Sequence, residues 1–144
     1  LLLGGAYLGR QDIIDLGLDL TDSCHRTYNS TASGLNPLAF AWYGPGNAAS
    51  NSKYNGDSTM ALQARACFEQ NGFFPTVEIH TLFPEPVESM MYAYRITGDS
   101  VWQEYNWEIF QATQRAGRRA GVKMSSLWNV SQPLGGDQLD CLPR

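Results

Sequence analysis

The chain has 144 residues, enough for one domain with an apolar core. Its 43% hydrophobic, 12% aromatic and 17% charged residues are globular values that exclude a disordered chain. A net charge of −4 argues against a nucleic-acid surface, and no apolar run approaches the roughly 20 residues of a membrane span.

The N-terminal Leu1-Leu2-Leu3-Gly4-Gly5 lacks an initiator methionine and a charged leader, so it does not read as a signal peptide. It reads as the tail of a helix broken near Gly9. From Gln11 to about Tyr28, Ile13, Leu16, Leu20, Cys24 and Tyr28 recur at helical spacing and predict one apolar face. Residues 29–34 close that helix with turn chemistry. Residues 37–43 form a short apolar run expected to be extended. Residues 44–56, rich in Gly, Asn and Ser, read as a loop. One or two helical turns over 58–68 and a short strand over 73–80 follow, so 44–80 is expected to be an irregular insertion.

The next element is clearer. Val87, Met90, Met91 and Tyr94 fit the i, i+3, i+4, i+7 template of a buried helix face, with Gly98 as its stop. Ser100 with Gln103 predicts a capping box for a further helix. That helix carries Trp102, Tyr105, Ile109, Ala112 and Ala116 on one stripe and ends at Gly117 or Gly121. Met90, Met91, Trp102 and Trp107 are expected in the core. Residues 122–144 show no strong period. The reading is mainly α: about four helices, each with one apolar face, joined by long loops of unequal length. Such a pattern suits a helical toroid whose loops gather at one end to form a site.

Chemistry concentrates at Pro84-Glu85-Pro86-Val87-Glu88-Ser89. Glu85 and Glu88, three apart, share one face of a helix that the prolines open, near its positive end. Helix capping is the alternative role for these two acids. His25 and His80 have no partner at ligand spacing and are expected on the surface or in loops. Trp42 and Trp128, in loops, are candidates for stacking on a sugar. Arg115, Arg118 and Arg119 form a basic cluster at a helix C-terminus, where cations offset the dipole. Asn29-Ser30-Thr31 and Asn129-Val130-Ser131 are N-glycosylation sequons, which suit a secretory-pathway or secreted protein. The cysteines are Cys24, Cys67 and Cys141, an odd count.

The segment Leu82-Phe83-Pro84-Glu85-Pro86-Val87-Glu88-Ser89, followed by Tyr94-Arg95-Ile96-Thr97-Gly98-Asp99, resembles the L-R-P-E-x-x-E-S…Y-R-x-T-G-D signature of class I α-1,2-mannosidases, glycoside hydrolase family 47. Further stretches match collinearly in the fungal style. They are Leu2-Leu3-Gly4-Gly5, the 22–28 segment around Cys24, Thr31 to Leu38 (family T-x-x-G-L-x-P-E), Trp107 to Ala112 (W-x-I-F-Q-A) and Asp137 to Cys141 (D-x-M-E-S). Only 44–80 matches poorly. The resemblance implies that 1–144 is an incomplete portion of a single catalytic domain, a partial (α/α)7 barrel with long loops and minor β structure.

It also implies a calcium-dependent, inverting exo-α-1,2-mannosidase acting on high-mannose N-glycans of glycoproteins in the ER, Golgi or outside the cell. Residue by residue, Glu85 falls at the family's general base, Glu88 at an acid lining the sugar and calcium pocket, and Asp140 at a further pocket acid, one methylene shorter than the usual glutamate. Phe83 stands where the family has arginine, and Leu38 where it has a pocket glutamate. The general acid is expected upstream of Leu1 and the calcium-binding threonine downstream of Arg144, so both ends look cut and the 144 residues alone are expected to be inactive. Cys24 matches a family half-cystine whose partner lies outside this stretch, while a Cys24–Cys67 bridge is open. A non-catalytic glycan-binding homologue of the same fold is the competing expectation, suggested by Phe83, Leu38 and Asp140.

Overall fold

A computed structural model of the chain describes residues 1–46, 48, 49, 51–117 and 126–132, and the backbone of 138 and 139. Helix α1 (Leu2–Leu8) ends on Gly9, as expected, and α2 (Gln11–Asn29) runs back against it. The two helices approach closely because Gly17 has no side chain: a Cβ there would lie 2.9 Å from Leu2 Cδ2. Helix α4 (Glu85–Thr97) stops at Gly98, whose φ of 73° is the left-handed conformation that glycine tolerates without strain. The Gly98 N–H bonds the Tyr94 carbonyl at 2.8 Å. Helix α5 (Val101–Ala112) continues into a π-turn, Thr113–Gly117.

The main core lies between α1, α2, α4 and α5. Leu2, Ile14, Tyr28, Met90, Trp102 and Ile109 bury their side chains there, with Ala93, Ala112 and Ala116 letting the helices approach. The stripe expected on α5 is therefore the buried one: Trp102, Ile109, Ala112 and Ala116 are buried and Tyr105 packs against them. On α4, Met90 is buried while Val87 and Tyr94 pack at its margin.

Three expectations are corrected. The buried face of α2 is Ile14, Gly17, Thr21, His25 and Tyr28, one residue round from the predicted one, and Leu16 and Leu20 stand about half exposed. The backbone-hugging contacts with α1 and α4 select the small and hydrogen-bonded residues instead. Met91 and Trp107 are likewise on the surface, 47% and 57% exposed, with Trp107 stacked on Phe110 at 5.2 Å. No side-chain bond from Ser100 caps α5. Asp99 Oδ1 instead accepts the Val101 N–H at 3.0 Å. Cys24 and Cys67 are free thiols, and Cys141 lies outside the described residues.

The 44–80 insertion is more ordered than its composition implies. Strand β1 (Ala39–Ala41) pairs antiparallel with β2 (Phe74–Val77), and between them lies a full helix, α3 (Thr59–Asn71). Ser58 caps α3 by accepting the Ala61 N–H at 3.2 Å. This unit has its own core: Tyr43, Ala49, Tyr54, Ala64 and Phe74, with three tilted or edge-on aromatic pairs. Tyr43 Oη donates to the Tyr54 carbonyl at 2.8 Å. A second antiparallel pair joins β3 (Ser126–Leu127) to β4 (Gln138–Leu139).

Candidate active site

Three loop segments meet beside the N-terminus of α4. Leu38 N–H bonds Ile79 O at 2.7 Å, and His80 exchanges both backbone bonds with Leu127, at 2.9 and 2.8 Å. Val130 N–H bonds Glu78 O at 2.9 Å, and Ser33 N–H bonds Val130 O at 3.1 Å. The 78–83 segment thus lies between the 33–38 turn and the 127–130 segment, then turns through Pro84 into α4. Among the described residues, the 33–38, 78–83 and 127–130 connections gather at this one end.

Glu85 and Glu88 are the first acids of α4, and both side chains are exposed at this mouth. Neither caps the helix. Pro84 occupies the cap position with no side-chain bond, and among the described residues neither carboxylate accepts a hydrogen bond. Pro86 lacks an N–H that would have no helical partner at this position. The acids thus stand free at the end of a helix dipole that favours negative charge. Leu38 and Phe83 offer the mouth only carbon, at 47% and 41% exposure. Trp128 is 38% and Trp42 60% exposed. Asp140, the third predicted acid, lies outside the described residues, as do Arg118 and Arg119.

Behind Glu85 lies a buried polar layer that periodicity did not reveal. Tyr28, at the end of α2, is 1% exposed, and its hydroxyl has no hydrogen-bond partner. Its phenol is pushed up to about 12, first by burial, then by the neighbouring Cys24 and Glu85. The ring of His80 meets Tyr28 edge-on, 6.4 Å between centroids. His80 lies in a loop segment, as expected, but is 3% exposed rather than on the surface, and its Nδ1 lies 3.1 Å from Asn36 O. Burial holds its pKa below the ordinary value, partly offset by that bond. Asn36 Oδ1 and Thr81 Oγ1, on the same segments, are also buried without partners. His25 is buried too, against Tyr105 and Glu108 on α5. No ligand-type spacing could have flagged either histidine, since each is held by residues far away in sequence.

Among the described residues, no three His, Cys, Asp or Glu come together in a group that could hold a metal ion. An oxygen-rich calcium site needs about 6–8 ligands. These residues do not supply one, and no step is derived through calcium. No helix among the described residues is long and apolar enough to cross a membrane.

Comparison with known proteins agrees with this geometry. Residues 1–142 match glycosyl hydrolase family 47. The chain is 39% identical over 139 residues to mannosyl-oligosaccharide alpha-1,2-mannosidase 1B of Emericella nidulans, covering 96% of this chain and 25% of that protein. With the enzyme of the same name from Aspergillus oryzae it shares 36% identity over 139 residues, covering 96% and 24%. Among solved structures it superposes on the alpha-1,2-mannosidase from Trichoderma reesei with a TM-score of 0.81 and 38% identity, over 96% of this chain and 27% of that one. The chain therefore spans about a quarter of the length of the curated relatives it matches. Its mainly helical architecture is that of part of an (α/α)7 barrel. On sequence and on structure alike, the chain belongs to glycosyl hydrolase family 47.

Proposed function

We propose that this chain forms one side of the site of a mannosyl-oligosaccharide α-1,2-mannosidase, an inverting exo-glycosidase that trims high-mannose N-glycans. The observation that carries the reading is the pair of uncapped acids, Glu85 and Glu88, exposed where the loops converge. Inversion needs one acid to protonate the leaving oxygen and a second carboxylate to activate water on the opposite face of the sugar. Such acids stand roughly 6.5–9.5 Å apart. Residues three apart on a helix are only about 5–6 Å apart at Cβ, so Glu85 and Glu88 cannot bracket one ring between them. Glu85 is assigned the water-activating base, and Glu88 and Asp140 bind sugar hydroxyls. The general acid and the calcium site come from other parts of the domain. Calcium dependence and a glycoprotein substrate met in the secretory pathway, or outside the cell, belong to the same proposal.

A second reading, glycan binding without catalysis, is favoured by Phe83 and Leu38, which bring carbon to the mouth where the resemblance implies a guanidinium and a carboxylate. Grafting the 144 residues in place of the matching segment of the Trichoderma reesei enzyme separates the two. The mannosidase reading expects mannose release from an α-1,2-linked mannobiose, abolished by a chelator and reduced roughly 10²–10⁴-fold by Glu85→Gln. A chimera that stays inactive even with Phe83→Arg and Leu38→Glu would leave the binding reading. The isolated chain is expected to release no mannose.

A further inference from the structure

The Tyr28 hydroxyl is a buried donor with nothing to donate to. Leaving such a group unpaired is costly, and an orphan of this kind calls for a reason. Its surroundings narrow the choice. The ring is fixed on one side by the edge of His80 and on the others by the main core, to which Tyr28, Leu35 and Met90 all belong. His80 is turned away, its Nδ1 engaged by Asn36 O. Helices α2 and α4 pack together, and Thr21 and Cys24 of α2 share one groove with Ser89 and Tyr92 of α4, so Tyr28, one turn beyond Cys24, lies toward Glu85, one turn before Ser89. There, Glu85 is a long, exposed side chain whose carboxylate accepts no bond among the described residues. One group is a buried donor without an acceptor, and the other is an exposed acceptor without a donor among the described residues.

We infer that Tyr28 is a positioning residue: unpaired in the present rotamers, its hydroxyl donates a hydrogen bond to the Glu85 carboxylate when that exposed side chain turns inward, and so fixes the rotamer in which the carboxylate meets water. The inference rests on the proposed role of Glu85. It explains why a tyrosine, rather than a phenylalanine, fills this core position. Burial raises the phenol pKa further above its ordinary value, so the hydroxyl offers a donor rather than a competing negative charge. A hydrogen bond to a charged acceptor is among the strong ones, and a base held in one geometry gains in rate rather than in substrate affinity.

Proton NMR of the 144-residue chain tests the bond without reference to turnover. The expected result is a slowly exchanging Tyr28 hydroxyl proton, assigned by its loss in Tyr28→Phe, with a nuclear Overhauser contact to the Glu85 γ-methylene. Glu85→Gln, at an exposed position that leaves the fold intact, should shift that resonance, and Glu88→Gln should not. A hydroxyl proton that exchanges too fast to be seen, lacks the contact, or ignores Glu85→Gln overturns the inference. In the chimera, Tyr28→Phe should lower kcat about tenfold with KM unchanged. An unchanged kcat would reduce Tyr28 to a structural role and also overturn it. If the bond is absent while Glu85→Gln abolishes hydrolysis, only the positioning role falls. If the bond is present while Glu85→Gln leaves hydrolysis intact, the role of Glu85 as base falls, and the positioning role with it.

Discussion

His25 Nε2 lies 2.9 Å from Glu108 Oε2, while the imidazole lies flat on Tyr105, with centroids 3.5 Å apart and planes 9° from parallel. Tyr105 Oη in turn donates to Asp22 at 3.3 Å, and Arg26 Nε to the same carboxylate at 3.0 Å. A polar strap thus joins α2 to α5. Its ends differ in exposure: the His25 side chain is 5% exposed and that of Glu108 54%. Water competes for the exposed Glu108 end of this contact, and the stacked ring carries most of the stabilisation. His25→Ala should cost about 2 kcal/mol, the sum of a ring stack and a hydrogen bond. His25→Phe keeps the stack and should cost about 1 kcal/mol, and Glu108→Gln less than about 0.5 kcal/mol. Equilibrium urea unfolding ranks the three. A Glu108→Gln loss as large as that of His25→Ala would show that charge, not stacking, holds the strap.

His80 makes stability depend on pH in a definite direction. Burial holds its folded pKa below the ordinary value of 6.5, so in mildly acidic solution the unfolded chain takes up a proton that the folded chain refuses. Where the unfolded state binds more protons, stability falls as pH falls. The His80 contribution is therefore flat above the unfolded pKa and declines from there down through the lower folded pKa. His80→Gln should be less stable than the parent near pH 8, and the gap in Tm should narrow as pH drops through 6.5. A gap that stays constant with pH would contradict this.

The outward stripe of α2 predicts association. Leu16 and Leu20 are 51% and 49% exposed, Cys24 is exposed beside them, and Leu20 and Cys24 line an apolar groove with Leu1, Leu2 and Tyr92. Trp107 and Phe110 form a second exposed apolar pair. Contiguous apolar surface of this kind drives proteins together. Sedimentation of the isolated chain should show an average mass that rises with concentration. The double variant Leu20→Lys, Trp107→Lys should remain monomeric under the same conditions. A parent chain that is monomeric throughout would refute the prediction.

Helices α4 and α5 were legible because their spacing, glycine stop and apolar stripes all agree, and they carry the two acids on which the site depends. The face of α2 was misjudged for a physical reason. Leu16, Leu20 and Cys24 have helical period, but period does not say which neighbour a face meets, and here the close contacts fall on Gly17, Thr21 and His25. Thr21 is buried without penalty because its hydroxyl donates to Gly17 O at 2.7 Å, a bond that no hydropathy scale registers. Helix α3 was legible only as one or two turns over 58–68, because it buries only Ala61 and Ala64, too little to mark a stripe. Ser100 looked like a cap, yet the neighbouring Asp99 took the task with a side chain of equal reach. The polar layer of Tyr28, Asn36, His80 and Thr81 was not legible at all. It exists only once distant segments are laid side by side.

The separate aromatic nucleus formed by Tyr43, Tyr54 and Phe74 has a consequence for how the molecule tolerates change. Damage inside it, such as truncating Phe74, is confined to the small sheet and its helix, since its buried members are not those of the helical core. Insertions and drift can accumulate in this appendage while the helical scaffold beneath Glu85 keeps its shape.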